Sequence, residues 1–357
     1  MDLEKIRRYF NLRGQYVTKL KVGASTAYQL DKYLYVMDSE KGRKIACYPS
    51  FCGDEMMKAT LDMARDFVLL LKEMGYLDQE VLLLNVLRAA PGYGVRDALI
   101  ESGARVSESW IRPYYLHPSY RLHTVKDLGL KFEQYSSLKP GSYTLIKPDT
   151  EATGFTTLFS LDRFLTKCEA HGCSVDRLIL YGFIADTGLE LIRRTFSRRV
   201  KEIIAFAIED LTPLARNGYD MPAYGIDLSA LEEAGEKVYL AAKAPDEVVD
   251  ALLLSCYPGM DQPGDWSERQ TRLFDGERWT EVDPKIHLKR SQELLTRLRK
   301  AQISEPWYQE EHEKIYKMHM MMIEDALSAL QRGFVKPLIL PAAFEYLLCV
   351  VSYISSE

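Results

Sequence analysis

The residues best equipped for chemistry lie in Asp149-Thr-Glu-Ala-Thr-Gly-Phe-Thr-Thr157, where two carboxylates, Asp149 and Glu151, precede a run of small and hydroxyl-bearing residues. A short apolar run opening at Tyr143 leads into them. A patterned helix follows, with Leu158, Leu161, Phe164, Leu165 and Cys168 on one side. Strand, loop and helix start is the geometry in which backbone N–H groups and the helix dipole hold a phosphate. The two carboxylates could hold hydroxyl groups, or a metal attached to the same ligand, and a ribose 5-phosphate carries its groups in that order. An ordinary helix start with Thr153 or Thr156 as the capping residue uses the same residues. The stretch by itself leaves both readings open.

These residues need elements to hold them. Val81-Leu-Leu-Leu-Asn-Val-Leu87 is a continuous apolar run, as expected of a strand buried on both faces of a parallel sheet. It leads into the small-residue loop Arg88-Ala-Ala-Pro-Gly-Tyr-Gly94 and a short helix to about Ser102. Arg105–Ile111 reads as the next strand. Arg112–Leu138, rich in tyrosine, histidine and charge but weakly periodic, reads as an excursion of the flexible-hairpin kind. Arg177–Ile184 and Glu202–Ile208 are further buried strands, with a helix from about Asp186 to Phe196 between them. Repeated strand and helix at this spacing predicts an α/β fold with a mainly parallel sheet and ligands at the C-terminal strand ends. The three special loops, 88–94, 149–157 and 209–227, all follow strands.

Upstream, residues 1–50 read as a leading helix and then two strands, Tyr33–Met37 and Lys44–Tyr48, flanking a hairpin turn at Asp38–Gly42. Phe51–Tyr76 carries a long helical pattern that ends at Gly75. From Pro263 the composition shifts. Arg272–Thr280 looks like a hairpin with an Asp-Gly turn, and the chain beyond Pro284 is helical and charged. His312, His319, Trp307 and Tyr308 read as packing residues on that helical part. The organisation expected is an extension over 1–50, an α/β domain over 51–262 and a mainly helical region over 263–357.

Composition narrows the classes further. Of 357 residues, 47% are hydrophobic and 27% charged, ordinary for a globular protein with a sizeable core. A formal net charge of -5 argues against general nucleic-acid binding, which needs a basic field. Phe334–Ile354 is the most apolar tract, but Lys336, Pro337, Pro341 and Glu345 break it, so a buried helix from near Pro341 is expected rather than a membrane span. The N-terminal residues lack the apolar core of a signal peptide. The six cysteines, at 47, 52, 168, 173, 256 and 349, have no metal-site spacing, and reduced thiols in a cytoplasmic protein are expected.

Taken together, the three loops resemble those of the type I phosphoribosyltransferases, most nearly uracil phosphoribosyltransferase, over roughly residues 50–230. Val86-Leu-Arg-Ala-Ala-Pro-Gly resembles that family's pyrophosphate loop, and Pro148–Thr157 its loop for phosphoribosyl pyrophosphate. Ala207-Ile-Glu-Asp with Asn217-Gly-Tyr-Asp-Met-Pro-Ala-Tyr-Gly-Ile-Asp227 resembles its base-recognition segment. Phe132–Leu138 resembles the strand returning from its flap.

The resemblance implies transfer of ribose 5-phosphate from phosphoribosyl pyrophosphate to a uracil-like nucleobase, with pyrophosphate leaving and Mg²⁺ held by phosphate oxygens and water. The implied partners are phosphoribosyl pyrophosphate and a nucleobase or nucleotide, in nucleotide salvage, with a homodimer as the candidate assembly. Arg88 with the amides of Ala89 and Ala90 would face pyrophosphate, and Arg112 could reach it from the flap. Asp149 would accept from the ribose hydroxyls, with Glu151 standing in for a missing carboxylate. Ala152, Thr153, Gly154, Phe155, Thr156 and Thr157 would cradle the 5-phosphate. Tyr219, Met221, Pro222, Ala223 and Tyr224 would present the base, and Asp227 could help hold hydrated magnesium. The pattern also departs from the family. Lys147-Pro148 stands where the first loop carboxylate belongs. Phe155, Ala90 and Ala223 replace glycines, and Asp227 falls one position late. The missing carboxylate and Phe155 favour a second reading, a non-catalytic sensor of a nucleotide or phosphoribosyl pyrophosphate, while Arg88, Asp149 and the threonine-rich cradle favour the transferase.

Overall fold

A computed structural model describes residues 1–116, 127–136 and 138–331. The chain opens with helix α1 (Leu3–Phe10), capped by the Asp2 side chain, and an antiparallel meander of β1 (Thr18–Val22), β2 (Ser25–Asp31) and β3 (Leu34–Asp38). Then come α2 (Glu40–Cys47), α3 (Gly53–Glu73), β4 (Val81–Val86), a single 3-10 turn (Ala90–Tyr93), α4 (Val95–Glu101), β5 (Val106–Tyr115), β6 (Leu128–Gln134), β7 (Gly141–Pro148), α5 (Phe155–Ala170), β8 (Cys173–Ala185), α6 (Asp186–Phe196) and β9 (Glu202–Thr212). The remainder is β10 (Tyr224–Ile226), α7 (Leu228–Ala234), β11 (Tyr239–Ala241), α8 (Asp246–Ser255), α9 (Trp266–Arg269), β12 (Arg272–Phe274), β13 (Trp279–Glu281), α10 (Lys285–Gln302) and α11 (Glu310–Gln331).

Nine strands form one sheet in the order β1-β2-β3-β9-β8-β7-β4-β5-β6. The six from β3 to β5 are mutually parallel, and antiparallel pairs close both edges. This is the mainly parallel α/β sheet flanked by helices that the sequence predicts, with the β5–β6 hairpin where the flap was expected and helices at the C-terminal side. Strand β4 is buried at every position, and β8 and β9 are buried through their C-terminal halves. Their alternate side chains feed two apolar layers. One face packs on α3, where Phe67 stacks on Tyr181 at 4.1 Å between ring centres and meets Phe206 edge-on at 5.3 Å. The other packs on α5 and α6 through Leu161, Phe164, Leu165, Leu189 and Ile192. Truncating Phe67 to alanine would cost about 3–5 kcal/mol, as for other fully buried aromatics. A third cluster joins α10 to α11 through Leu288, Leu295, Leu298, Ile315 and Ile323.

Two expectations are corrected. Lys44–Tyr48 is not a strand but the end of α2, because the Ser39 hydroxyl accepts from Gly42 N–H as an N-cap and turns the expected hairpin into a helix start. The thiols are not all reduced: Cys47 and Cys256, 209 positions apart and both buried, form a disulfide between α2 and the end of α8. The helix expected from near Pro341 lies outside the described residues, as does the middle of the Arg112–Leu138 excursion. The Asp-Gly hairpin forms as β12–β13 with Asp275 and Gly276 at its turn. No helix among the described residues is long and apolar enough to cross a membrane.

Candidate functional site

Strand register brings the three special loops toward one rim of the sheet. Leu83 pairs with Ile146, Pro148 with Tyr181 and Tyr181 with Phe206, so the C-terminal ends of β4, β7, β8 and β9 lie side by side. The loop after β7 continues the ladder beside β8: Asp149 N–H donates to Tyr181 O at 3.0 Å and Glu151 N–H to Phe183 O at 2.8 Å. Glycine makes this close approach feasible. A Cβ on Gly188 would come 2.4 Å from Ala152 O, and one on Gly182 2.0 Å from Asp149 O. Gly154, in the left-handed region at φ 80°, is the N-cap of α5, and no side chain caps that helix. The capping role left open for Thr153 or Thr156 is therefore not taken. Thr153, Phe155 and Thr156 are half-buried, and the Tyr115 hydroxyl reaches the Thr156 hydroxyl at 3.3 Å.

The carboxylates of this loop are occupied from within. Lys147, fully buried, donates from Nζ to Asp149 Oδ2 at 2.9 Å and to Glu151 Oε1 at 2.5 Å. Thr150 N–H donates to Asp149 Oδ1 at 2.9 Å, and the Thr157 hydroxyl to Glu151 Oε2 at 2.6 Å. Thr157 thus serves Glu151 rather than the open end of α5. Burial opposes the charge on Lys147, but the two carboxylates outweigh it and hold the ammonium above the usual lysine value. At Asp149 burial wins: its carboxyl is pushed up to about 6 against the pull of Lys147. The Glu151 carboxylate beside it adds to that upward push.

Sequence reasoning registered Lys147 only as an absent acid. The signal that identifies its role is the spacing: Lys147, Asp149 and Glu151 sit at i, i+2 and i+4 of an extended segment, so all three side chains share one face.

The loop after β4 starts with a cis Leu87–Arg88 peptide and is held from two sides. The Tyr93 hydroxyl lies 2.5 Å from that of Thr150, which ties it to the β7 loop. Trp266 stacks on Tyr93 at 4.3 Å between ring centres and donates from Nε1 to Ala89 O at 3.2 Å. Arg88 is exposed, Ala89 half-buried and Ala90 buried. Partial burial and the like charge of Arg112 draw the Arg88 guanidinium below its usual value, with Asp275 and Glu268 opposing. Arg112 donates to Asp275 O at 2.9 Å and pairs with Asp275 Oδ2 at 3.3 Å, so the β12–β13 turn already supplies it with an anion. Arg88, Arg112, Asp149 and Thr156 therefore belong to one rim, with the two arginines under the influence of Asp275.

The 217–227 segment is arranged differently. Met221, Pro222, Ala223 and Tyr224 are buried. Met221 O accepts from Gln262 N–H, Ala223 O from Ala242 N–H and Tyr224 O from Gly259 N–H, so main-chain groups assigned to a base are spent inside the protein. The Tyr219 hydroxyl donates to Asp265 Oδ1 at 2.6 Å. Asp227 is the N-cap of α7, accepting from Ala230 N–H and the Ser229 hydroxyl at Oδ1 and from Arg216 N–H at Oδ2. A cavity of about 250 Å³ adjoins this segment, lined by Asn217, Asp220, Met260, His287, Arg290 and Leu294 among others. No residue of the 88–94 or 149–157 loops lines it. Deeper in the sheet, Gln262 Nε2 donates to Asp210 Oδ2 at 2.6 Å, and burial pushes the Asp210 carboxyl up to about 7. His312 and His319 are buried on α11, as a packed helical face requires.

A resident magnesium does not fit these side chains. Each oxygen of Asp149 and Glu151 has a donor, and so has each oxygen of Asp227. Among the described residues, no group of three or more His, Cys, Asp or Glu is placed to hold a metal ion.

No known family model matches the chain, and no curated protein does. Among solved structures it is similar to the AQ2163 protein of Aquifex aeolicus, at 15% identity and TM-score 0.35, over 50% of this chain and 84% of that one. It is also similar to adenine phosphoribosyltransferase from Leishmania tarentolae, at 14% identity and TM-score 0.34, over 56% of this chain and 98% of the other. A hypoxanthine-guanine phosphoribosyltransferase from Bacillus anthracis follows at 16% identity and TM-score 0.27, over 37% and 70%.

Proposed function

We propose that this chain binds the phosphate of a phosphoribosyl-type ligand at the start of α5 and does not transfer its ribose 5-phosphate to a base. The observation that carries this reading is the Lys147 bridge. A carboxylate that accepts from ribose hydroxyls must reach them, whereas Asp149 is buried, paired with the Lys147 ammonium and already accepting from Thr150 N–H. The uncapped helix start remains a place for phosphate oxygens, with Arg88 exposed on the same rim. The buried, internally bonded 221–224 segment supports the same conclusion, since the main-chain carbonyls a base would use are engaged.

The test combines turnover and binding. The full chain is incubated with Mg²⁺, phosphoribosyl pyrophosphate and a panel of purine and pyrimidine bases, and pyrophosphate release is followed. Calorimetry with ribose 5-phosphate and phosphoribosyl pyrophosphate runs alongside. Binding without pyrophosphate release is expected. Base-dependent release would establish the transferase reading, which the exposed Arg88 beside Arg112 favours as a pyrophosphate-facing pair. No binding of either ligand would remove both readings.

A further inference from the structure

The resemblance implies Mg²⁺ held by phosphate oxygens and water, and the arrangement of charge at the end of β7 supplies a cation of the chain's own. Four carboxylate oxygens face inward at the end of β7, and four donor contacts meet them: two from Lys147 Nζ, one from Thr150 N–H and one from the Thr157 hydroxyl. Four of the residues concerned, Lys147, Asp149, Glu151 and Thr157, are less than a tenth exposed. A divalent cation binding these carboxylates would have to displace the ammonium and leave it buried without a counter-charge, a costly arrangement. Mg²⁺ demands near-octahedral oxygens and gives up water reluctantly, so a buried pair of carboxylates already bridged by an ammonium offers it little.

We propose that Lys147 is the resident cation of the strand-end site and that the chain takes its ligand as a metal-free phosphate monoester. This rests on the phosphate-binding reading above. The amides at the start of α5 and the exposed Arg88 meet the phosphate charge, and the acidic pair stays with Lys147. The class of ligand follows: a phosphate monoester rather than a chelate whose recognition passes through a metal-bridged diol.

The experiment has two arms on the full chain. In the first, ribose 5-phosphate is titrated by calorimetry with Mg²⁺ present and with chelator present. Dissociation constants agreeing within about twofold are expected. Binding that requires Mg²⁺ overturns the proposal. The second arm needs no phosphate ligand. Mn²⁺ is titrated by electron paramagnetic resonance into the wild type, Asp149→Asn and Lys147→Met. No Mn²⁺ uptake by the wild type beyond that of Asp149→Asn supports the proposal, and a new site in Lys147→Met strengthens it. Uptake by the wild type that Asp149→Asn abolishes overturns it. Should Lys147→Met fail to fold, the comparison of wild type with Asp149→Asn still decides. If ribose 5-phosphate binds under neither condition, the phosphate-binding reading fails, and the Mn²⁺ arm alone rules on Lys147.

Discussion

The Asp149 carboxyl offers a measurement of which force governs the loop after β7. Its neighbours are Lys147, which favours the carboxylate, and burial and Glu151, which oppose it. Burial prevails and raises the carboxyl from the ordinary 3.8 to about 6. A carboxyl raised in the folded state binds its proton more tightly there than in the unfolded chain, so this group makes the fold less stable as pH rises between those two values. At about 1.4 kcal/mol per pH unit the full effect is about 3 kcal/mol, roughly 2 kcal/mol of it between about pH 4 and pH 7. Asp149→Asn keeps an oxygen acceptor for Lys147 and loses the titration. Urea unfolding of both proteins across that range gives the difference in stability, and subtracting one pH from another cancels any static cost of the substitution. The variant should gain on the wild type by roughly 2 kcal/mol as pH rises from about 4 to about 7. A flat difference would mean an unperturbed carboxyl. A wild type that gains on the variant would mean that Lys147, not burial, rules the site, and would refute the reasoning.

Three further outcomes are expected. Gly188→Ala drives a methyl group toward Ala152 O at 2.4 Å, and should cost about 1–3 kcal/mol in thermal melting and weaken ribose 5-phosphate binding by shifting the 151–154 loop. Asp275→Asn frees Arg112 from its internal anion and should tighten inorganic pyrophosphate binding by up to about fivefold at low salt, the gain shrinking as salt is raised; unchanged affinity would place pyrophosphate elsewhere. Asp227→Ala removes the cap of α7 together with an acceptor for Arg216 N–H, and should cost about 1–2 kcal/mol in stability at any magnesium concentration. A loss confined to magnesium-containing buffer would restore a metal role to Asp227.

The parallel sheet was legible because its strands are long apolar runs followed at regular spacing by patterned helices, a signal that depends only on local sequence. The candidate loops were legible for the same reason, since each follows such a run. What sequence reading missed required knowing a neighbour. Ser39 looked like part of a hairpin turn until its hydroxyl was seen to cap α2 beneath Glu209, whose carboxylate accepts from Ser39 N–H at 3.0 Å. Cys47 and Cys256 are separated by 209 positions, and nothing near either one names its partner. Lys147 is the instructive case. The alternating Lys-x-Asp-x-Glu pattern puts the base and both acids on one face, whereas the family motif marks this position only by the acid it lacks.

The placement of β3 in the middle of the sheet has a consequence for synthesis. This strand is complete by Asp38, but its parallel partner β9 begins only at Glu202. At ribosomal speeds of about 5–20 residues per second, the strand waits on the order of ten to thirty seconds for the chain that will cover its edge. For that interval the β1–β3 meander presents an unpaired, apolar strand edge to whatever surrounds the nascent chain. The rate of synthesis across residues 40–200, and the capacity of chaperones to shield this edge, should therefore bear on the yield of native protein.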